Sequence, residues 1–349
     1  MTGGMAVRRF RLLMVVLAVI LTGCTALPPV TPIKTETPAP RVYTLVVKDR
    51  TNPYMLTMFD GFKAACGELG VSAELSGPEI ASAEEQASII KDLADRKVDA
   101  IAVAANDRDM LSESLAYAIS KGIQVVSLDS AVNRQDRMLH VQQASPELIG
   151  RALMQASHLI AGGSGAYAIL STTKNAPNQA SWVAWMQREV NENPDEYGGM
   201  DMVKIAYGLD DRKESMAQTR GLLRDYKQLK LIIAPTSVGM RAAAEVIADL
   251  NVDTKLIGLG LPSQMEPYIR SGVCPLMYLW NPVDMGYLAA YAANALVDGE
   301  ITGAVGERFK AGSLGDKLIT LGEDGGSEVV MGNPAVFDLN NIAVWSEVF

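Results

Sequence analysis

Along residues 42–297, short apolar runs alternate with longer stretches in which apolar positions recur at helical spacing. Residues 42–47 are the first run. From Pro53 onward, Met55, Met58, Phe59, Phe62, Cys66 and Leu69 fall three or four positions apart, one face of a helix that Gly70 ends. Residues 71–75 read as a second strand. Ser82 and Glu85 then form a capping box that opens a helix reaching about residue 95. Residues 100–104 predict a third strand, residues 110–120 a helix stopped at Gly122, and residues 123–128 a fourth strand ending at Asp129. Four apolar runs separated by helices predict a parallel sheet with right-handed crossovers.

A second series begins at Ser145-Pro146, where proline suits the first helical position. Strands are expected near 166–171, 202–206, 231–234, 255–259 and 275–279, with helices near 180–191, 213–226, 238–249 and 263–271. Asp211 and Glu214 repeat the capping pattern. A last helix over 283–297 follows Trp280-Asn281-Pro282, and the Gly-rich tail from Gly299 mixes short strands with loops. The expected fold is α/β: two Rossmann-like lobes with parallel sheets, joined near residue 144.

Ligands of open α/β sheets bind beyond the carboxyl ends of the strands. Lys48, Asn52 and Tyr54 follow the first strand, Asn106 and Asp107 the third, and Asp129 the fourth. In the second lobe the corresponding residues are Asn178, Gln179 and Trp182, then Thr236 and Ser237, then Trp280 and Asn281. Amides, a carboxylate, an ammonium and indoles suit a small polyol or sugar, whose hydroxyls need donors and acceptors and whose C–H faces pack on rings. Each residue also has a plainer reading. Asn52-Pro53 starts a helix in any α/β protein, Asn106-Asp107 caps one, Asp129 with Ser130 caps a turn, Lys48 sits in solvent, and Trp182 and Trp185 pack.

The N-terminal segment changes the compartment. Arg8, Arg9 and Arg11 precede an unbroken apolar run over 12–21, too short for a membrane span of about 20 residues but suited to export. It ends Leu21-Thr22-Gly23-Cys24, which resembles the lipobox of bacterial lipoproteins and implies lipidation of Cys24. Residues 1–23 are thus expected to be a signal peptide. Residues 24–40, carrying Pro28, Pro29, Pro32, Pro38 and Pro40, are expected to be a semi-extended linker with a reach of roughly 50 Å. The formal net charge of the chain is -9; setting aside the three signal arginines leaves -12. An acidic body without basic clusters argues against nucleic acid. Cys66 and Cys274 fall in different lobes and are expected buried and unpaired. His140 and His158 belong to no Cys/His cluster at metal spacing, and no cofactor is expected.

These residues together resemble the sugar-binding receptors of bacterial ABC importers with the type I periplasmic binding fold, in the branch that includes rhamnose and autoinducer-2 receptors. The resemblance covers residues 41–349. It rests on Val46-Val47-Lys48, Lys97-Val98-Asp99-Ala100-Ile101-Ala102 with Ala105-Asn106-Asp107, and Leu128-Asp129-Ser130. In the second lobe it rests on Asn178-Gln179-Ala180-Ser181-Trp182, Ile233-Ala234-Pro235-Thr236-Ser237-Val238-Gly239, Gly258-Leu259-Gly260-Leu261-Pro262-Ser263 and Trp280-Asn281-Pro282. It implies three hinge crossings, near 144, 280 and 312, hence lobes of 41–144 plus 281–312 and 145–280 plus 313–349. By resemblance, Lys48, Asp129, Gln179 and Pro235 match ligand-contacting positions of the autoinducer-2 receptors. Asn178 replaces their Asp and Ser237 their Ala, and the surrounding stretches look more like the rhamnose receptors. The resemblance implies a monomer, anchored by lipid at the outer face of the membrane, that captures a rhamnose-like deoxy sugar by lobe closure and docks on an ABC permease.

Three rival classes are open to the same residues. A repressor of this fold carries an N-terminal helix-turn-helix, where this chain has the signal and linker. An enzyme needs a nucleophile–base pair or a metal, which two isolated histidines do not supply. Gly258-Leu259-Gly260 lacks the third glycine of a dinucleotide fingerprint. A receptor that senses autoinducer-2 or another sugar and signals to a membrane sensor uses the same closed surface as a transporter component, and stands as the alternative.

Overall fold

The computed structural model describes residue 1 and residues 40–349. But for Met1 and Pro40, the expected signal, the Cys24 lipidation site and the Pro-rich linker lie outside the described residues. Residues 40–349 group as one unit.

The first part of that unit runs β1 (Val42–Val46), α1 (Pro53–Leu69), β2 (Ser72–Ser76), α2 (Ala83–Arg96), β3 (Ala100–Val103), α3 (Ser112–Ser120), β4 (Gln124–Leu128) and β5 (Leu139–Gln142). The second runs α4 (Pro146–Ala161), β6 (Gly165–Ser171), α5 (Pro177–Glu192), α6 (Pro194–Tyr197), β7 (Met200–Tyr207), α7 (Arg212–Asp225), β8 (Leu229–Ala234), α8 (Ser237–Leu250), β9 (Lys255–Gly258), α9 (Pro262–Arg270) and β10 (Leu276–Leu279). The chain closes with α10 (Pro282–Val297), β11 (Arg308–Lys310), β12 (Asp316–Leu318), β13 (Thr320–Leu321), β14 (Ser327–Val330), β15 (Ala335–Asp338) and α11 (Ile342–Trp345).

Two sheets result. The first has the order β13-β14-β5-β4-β3-β1-β2, parallel except for β13. The second has the order β7-β6-β8-β9, all parallel. Both reverse strand order beside their first strand, and a crevice opens at such a switch point. The central strands β3 and β4 are buried almost throughout, which is why they read as mostly apolar runs. The N-cap half of each expected capping box is present: Ser82 accepts from the Glu85 N–H, and Asp211 from the Glu214 N–H.

Helix α10 returns to the first lobe and lies against α1. The two backbones meet at glycines. A Cβ on Gly61 would stand 1.9 Å from the Val283 carbonyl oxygen, and one on Gly286 would stand 1.8 Å from that of Met58. Cys66 and Cys274 are buried and unpaired, each in its own lobe.

Besides the one-turn helix α6, which was not expected, the structure differs from the sequence reading in two places. Strand β5 was not expected, because Leu-His-Val-Gln is short and half polar. Its His140 and Gln142 are nonetheless buried and bonded to each other. The last crossing does not fall near 312. Strand β14 pairs in parallel with β5 and β13 pairs with β14, so residues 320–330 extend the first sheet. Arg137 fastens this hairpin through Asp324 at 2.7 Å. The chain returns to the second lobe only at β15, which pairs antiparallel with β10, and β10 sits beside the end of β9 through the Leu259–Tyr278 bridge.

Candidate binding cleft between the lobes

Asp129 stands at the carboxyl end of β4 with φ +59°, the left-handed region that Asp tolerates better than most residues. The Ser130 N–H donates to the Leu128 carbonyl at 2.6 Å, closing a three-residue turn around it. The turn aims the carboxylate into the cleft. There it accepts from the Tyr54 hydroxyl at 3.1 Å and from Asn178 Nδ2 at 3.2 Å, with Lys48 Nζ at 3.6 Å. No cap to its own turn is formed, so the turn-cap reading of Asp129 does not describe it.

The neighbours are placed by their helices. Asn52 caps α1 by accepting from the Tyr54 N–H, and this sets Tyr54 on the first turn. Trp280 Nε1 donates to the Tyr54 hydroxyl at 2.6 Å, so a short chain of donors runs from Trp280 through Tyr54 to Asp129. Trp280 lies edge-on to Tyr54, at 85° with centroids 6.3 Å apart, and tilted against Trp182 at 5.8 Å. Pro177 begins α5 and sets Asn178 and Gln179 in its first turn. Gln179 Oε1 accepts from Ser171, from Thr172 Oγ1 and from the Thr172 N–H, each at 2.8 Å. Its amide nitrogen is left without a hydrogen bond. Trp182 Nε1 is buried with no partner at all, a donor in want of an acceptor.

Burial sets the electrostatics. It pushes the Asp129 carboxyl up, against the pull of Lys48 and Tyr54. The Tyr54 hydroxyl is raised well above its ordinary value by burial and by the charge of Asp129, so it stays a donor. Asp210 also faces the cleft. It accepts from Thr236 Oγ1 at 2.9 Å and is raised by burial. Asp210 and Leu209 are consecutive left-handed residues, at φ 53° and 55°. Two carboxylates around one ammonium make a site for a neutral ligand rich in hydroxyl donors and a poor one for an anion.

Eleven of the residues singled out in the sequence line this cavity: Lys48, Asn52, Tyr54, Asp129, Asn178, Gln179, Trp182, Pro235, Thr236, Ser237 and Trp280. Three do not. Asp107 accepts from the Asp109 and Met110 N–H groups, a local turn. Asn106 donates to the Lys48 carbonyl at 3.0 Å and takes the Gln86 side chain on its N–H, so it supports the loop behind the site. Asn281 caps α10 by accepting from the Val283 and Asp284 N–H groups. The apolar lining of Met55, Leu259 and Leu279 was not singled out, nor was Asp210. The only sequence signal for Asp210 is Gly208-Leu-Asp-Asp211 after β7, a loop that reads equally well as a helix cap.

The cavity measures about 40 Å³. It is small because Asn178 Oδ1 takes Lys48 Nζ at 3.3 Å while its nitrogen binds Asp129, joining the lobes directly. At about 10–15 Å³ per water this is room for about three waters. A larger ligand enters only if the lobes part and it takes over those bonds.

Residues 43–301 match the family described as periplasmic binding protein domain. An ABC transporter solute-binding protein from Clostridium phytofermentas, solved with bound L-rhamnose, superposes with a TM-score of 0.86. It is 39% identical, over 89% of this chain and 99% of that one. The D-ribose/D-allose-binding protein of Pseudomonas aeruginosa is 26% identical over 73% of this chain and 82% of its own length. LsrB from Clostridium saccharobutylicum in complex with AI-2 shares the fold, with a TM-score of 0.81 at 19% identity over 87% of this chain and 99% of that one. The chain belongs to the periplasmic binding protein family and has its type I fold.

Proposed function

We propose that the chain captures a monosaccharide, with L-rhamnose as the best-fitting member, and hands it to an ABC import permease from the outer face of the membrane, anchored there by lipid on Cys24. The observation that carries this reading is the triangle of Lys48, Asp129 and Asn178, which draws on both lobes and is backed by Tyr54, Trp182 and Trp280. A sugar hydroxyl placed among them gives its proton to Asp129 and takes one from Lys48 or Asn178. Each such charged bond contributes roughly 1.5–3 kcal/mol. Micromolar affinity needs about 8 kcal/mol, which three or four of them with ring packing supply. Closure follows because half of the ligand's partners stand on each lobe.

The apolar lining of Met55, Pro235, Leu259 and Leu279 favours a deoxy sugar. It gives a methyl group dry contact, whereas a hydroxymethyl there loses its hydrogen bonds to water. The solved L-rhamnose complex at 39% identity supports the same choice.

A thermal-shift panel of L-rhamnose, L-mannose, D-ribose, D-allose and autoinducer-2 tests it. A ligand at 100 times its dissociation constant adds about 2.7 kcal/mol, a rise of several degrees. The expected result is a rise with L-rhamnose and a smaller one with L-mannose, which differs from it by one hydroxyl. A rise with ribose or allose alone contradicts the deoxy-sugar choice, and no rise with any of them contradicts the sugar reading.

A further inference from the structure

A second and much larger cavity, of about 540 Å³, opens beside the first and shares Asp129 and Asn178 with it. Both lobes line it. Its rim is bridged where Asn175 Nδ2 donates to Asp107 at 3.2 Å and where Trp185 Nε1 donates to Glu323 at 3.4 Å, each bond crossing between the lobes. It is therefore an open-mouthed part of the cleft, bounded by the same approach of the lobes that brings Asn178 onto Lys48 and Asp129.

We propose that this cavity is a second subsite, so that besides the free monosaccharide the cleft takes a glycoside whose first ring occupies the Lys48–Asp129–Asn178 site while a second, uncharged hydroxylated ring lies between Glu328 and Ala180. The proposal rests on the sugar reading above. The volume falls within the usual range of ligand pockets, about 300–1,000 Å³, and the first cavity does not. The lining is rich in acceptors. Asp324 is held by Arg137 and Asp109 by Asn133, but the Glu328 carboxyl receives no hydrogen bond and no ion pair. Burial raises it, and so do the charges of Asp324 and Glu323. Such a group seeks a hydroxyl donor, and the surplus of carboxylates disfavours a uronate or a phosphate. Ala131, Pro146, Pro177 and Ala180 supply the apolar surface for the C–H edges of a ring.

The test is calorimetry on the full chain with L-rhamnose, rhamnosyl-glucose and glucosyl-rhamnose, so that the second ring leaves the first from either end. One of the two disaccharides should bind roughly tenfold or more tightly than L-rhamnose, the gain of one or two added hydrogen bonds. Ala180 is exposed on α5. Ala180→Trp should fill the subsite and abolish that advantage while leaving L-rhamnose affinity unchanged. Glu328→Ala should reduce the advantage without filling the space. If L-rhamnose binds and neither disaccharide binds as well, the second subsite is refuted and the monosaccharide reading stands. If Ala180→Trp weakens L-rhamnose equally, the large cavity holds the first ring and the two-ring arrangement is refuted. If no sugar binds at all, both readings fall.

Discussion

Asn178 Nδ2 donates to Asp129 Oδ2 at 3.2 Å, and this bond joins a helix start in one lobe to a strand end in the other. The Asn178 amide oxygen, Oδ1, accepts from Lys48 Nζ and Ser130 Oγ at 3.3 and 3.5 Å. One neutral side chain thus reads both charges of the site, accepting on one atom and donating on the other.

That relationship predicts the effect of a single change of charge. Asn178→Asp removes the donor and sets a carboxylate against Asp129 in a dehydrated cleft, where like charges oppose each other. L-rhamnose affinity should fall about tenfold or more, measured by calorimetry. Lys48 lies within reach of both carboxylates and offsets part of the repulsion, so lowering the pH toward the carboxyl range should recover some binding. Unaltered affinity would mean that Asn178 does not face the ligand.

The unpartnered indole of Trp182 makes a separate prediction. Trp182→Phe keeps a ring and removes the buried N–H. If a ligand oxygen satisfies that donor, affinity falls by the value of one hydrogen bond, about 0.5–1.5 kcal/mol, while the ligand-free protein loses no hydrogen bond. Calorimetry together with melting curves separates the two effects. Equal loss in both would assign Trp182 to packing alone.

Helices α1 and α10 test the packing beneath the site, since Tyr54 and Met285 meet there. Gly286→Ala would press a methyl group into the Met58 carbonyl, 1.8 Å away. A shift of the helices of this kind costs about 1–3 kcal/mol. The melting temperature should fall by several degrees, and L-rhamnose affinity should fall with it through the displaced Tyr54. A variant that melts like the wild type would show that the helices part more freely than this contact implies.

His140 gives a dependence on pH. Its Nδ1 lies 2.8 Å from the Ser127 hydroxyl and its Nε2 lies 2.5 Å from Gln142 Oε1. Gln142 uses its own nitrogen on the Ala144 carbonyl, so its oxygen accepts, the proton sits on His140 Nε2, and Ser127 donates to Nδ1. Burial, then the charge of Arg137, lowers this imidazole to about 3, against the raising influence of Gln142 and Asp324. The folded form therefore binds fewer protons than the unfolded form between about 6.5 and 3, and stability falls with pH across that window. Between pH 6.5 and pH 5 the residue should account for a loss of up to about 2 kcal/mol. His140→Gln should flatten the melting temperature over this range, and an equal slope in both proteins would remove His140 as the cause.

Much of the fold was legible because its signals are local. A strand buried on both faces writes itself as an apolar run, and Gly70, Ser82 and Asp211 mark helix ends through their own backbone chemistry. That Lys48, Asp129 and Gln179 come together at one cavity was legible because the carboxyl end of a parallel strand is a fixed address in such a sheet. The failures share one physical character, since they depend on what pairs across the chain. Strand β5 is half polar in sequence because His140 and Gln142 satisfy each other inside. Strand β14 joins the first sheet through an edge that no local pattern reports. Asn106 and Asn281 carry the residue type expected of ligand contacts, but their amides serve a backbone carbonyl and a helix start. Asp210 reaches the cleft through two left-handed residues, a conformation that nothing in Leu209-Asp210 announces.

Capture of a sugar at Asp129 is tested most directly by calorimetric titration of L-rhamnose into the wild-type chain and into Asp129→Ala. Saturable heat is expected with the wild type, none with the variant, and a cooperative melting transition in both. Equal binding by the folded variant would contradict the claim that the lobes close on a sugar held by Asp129.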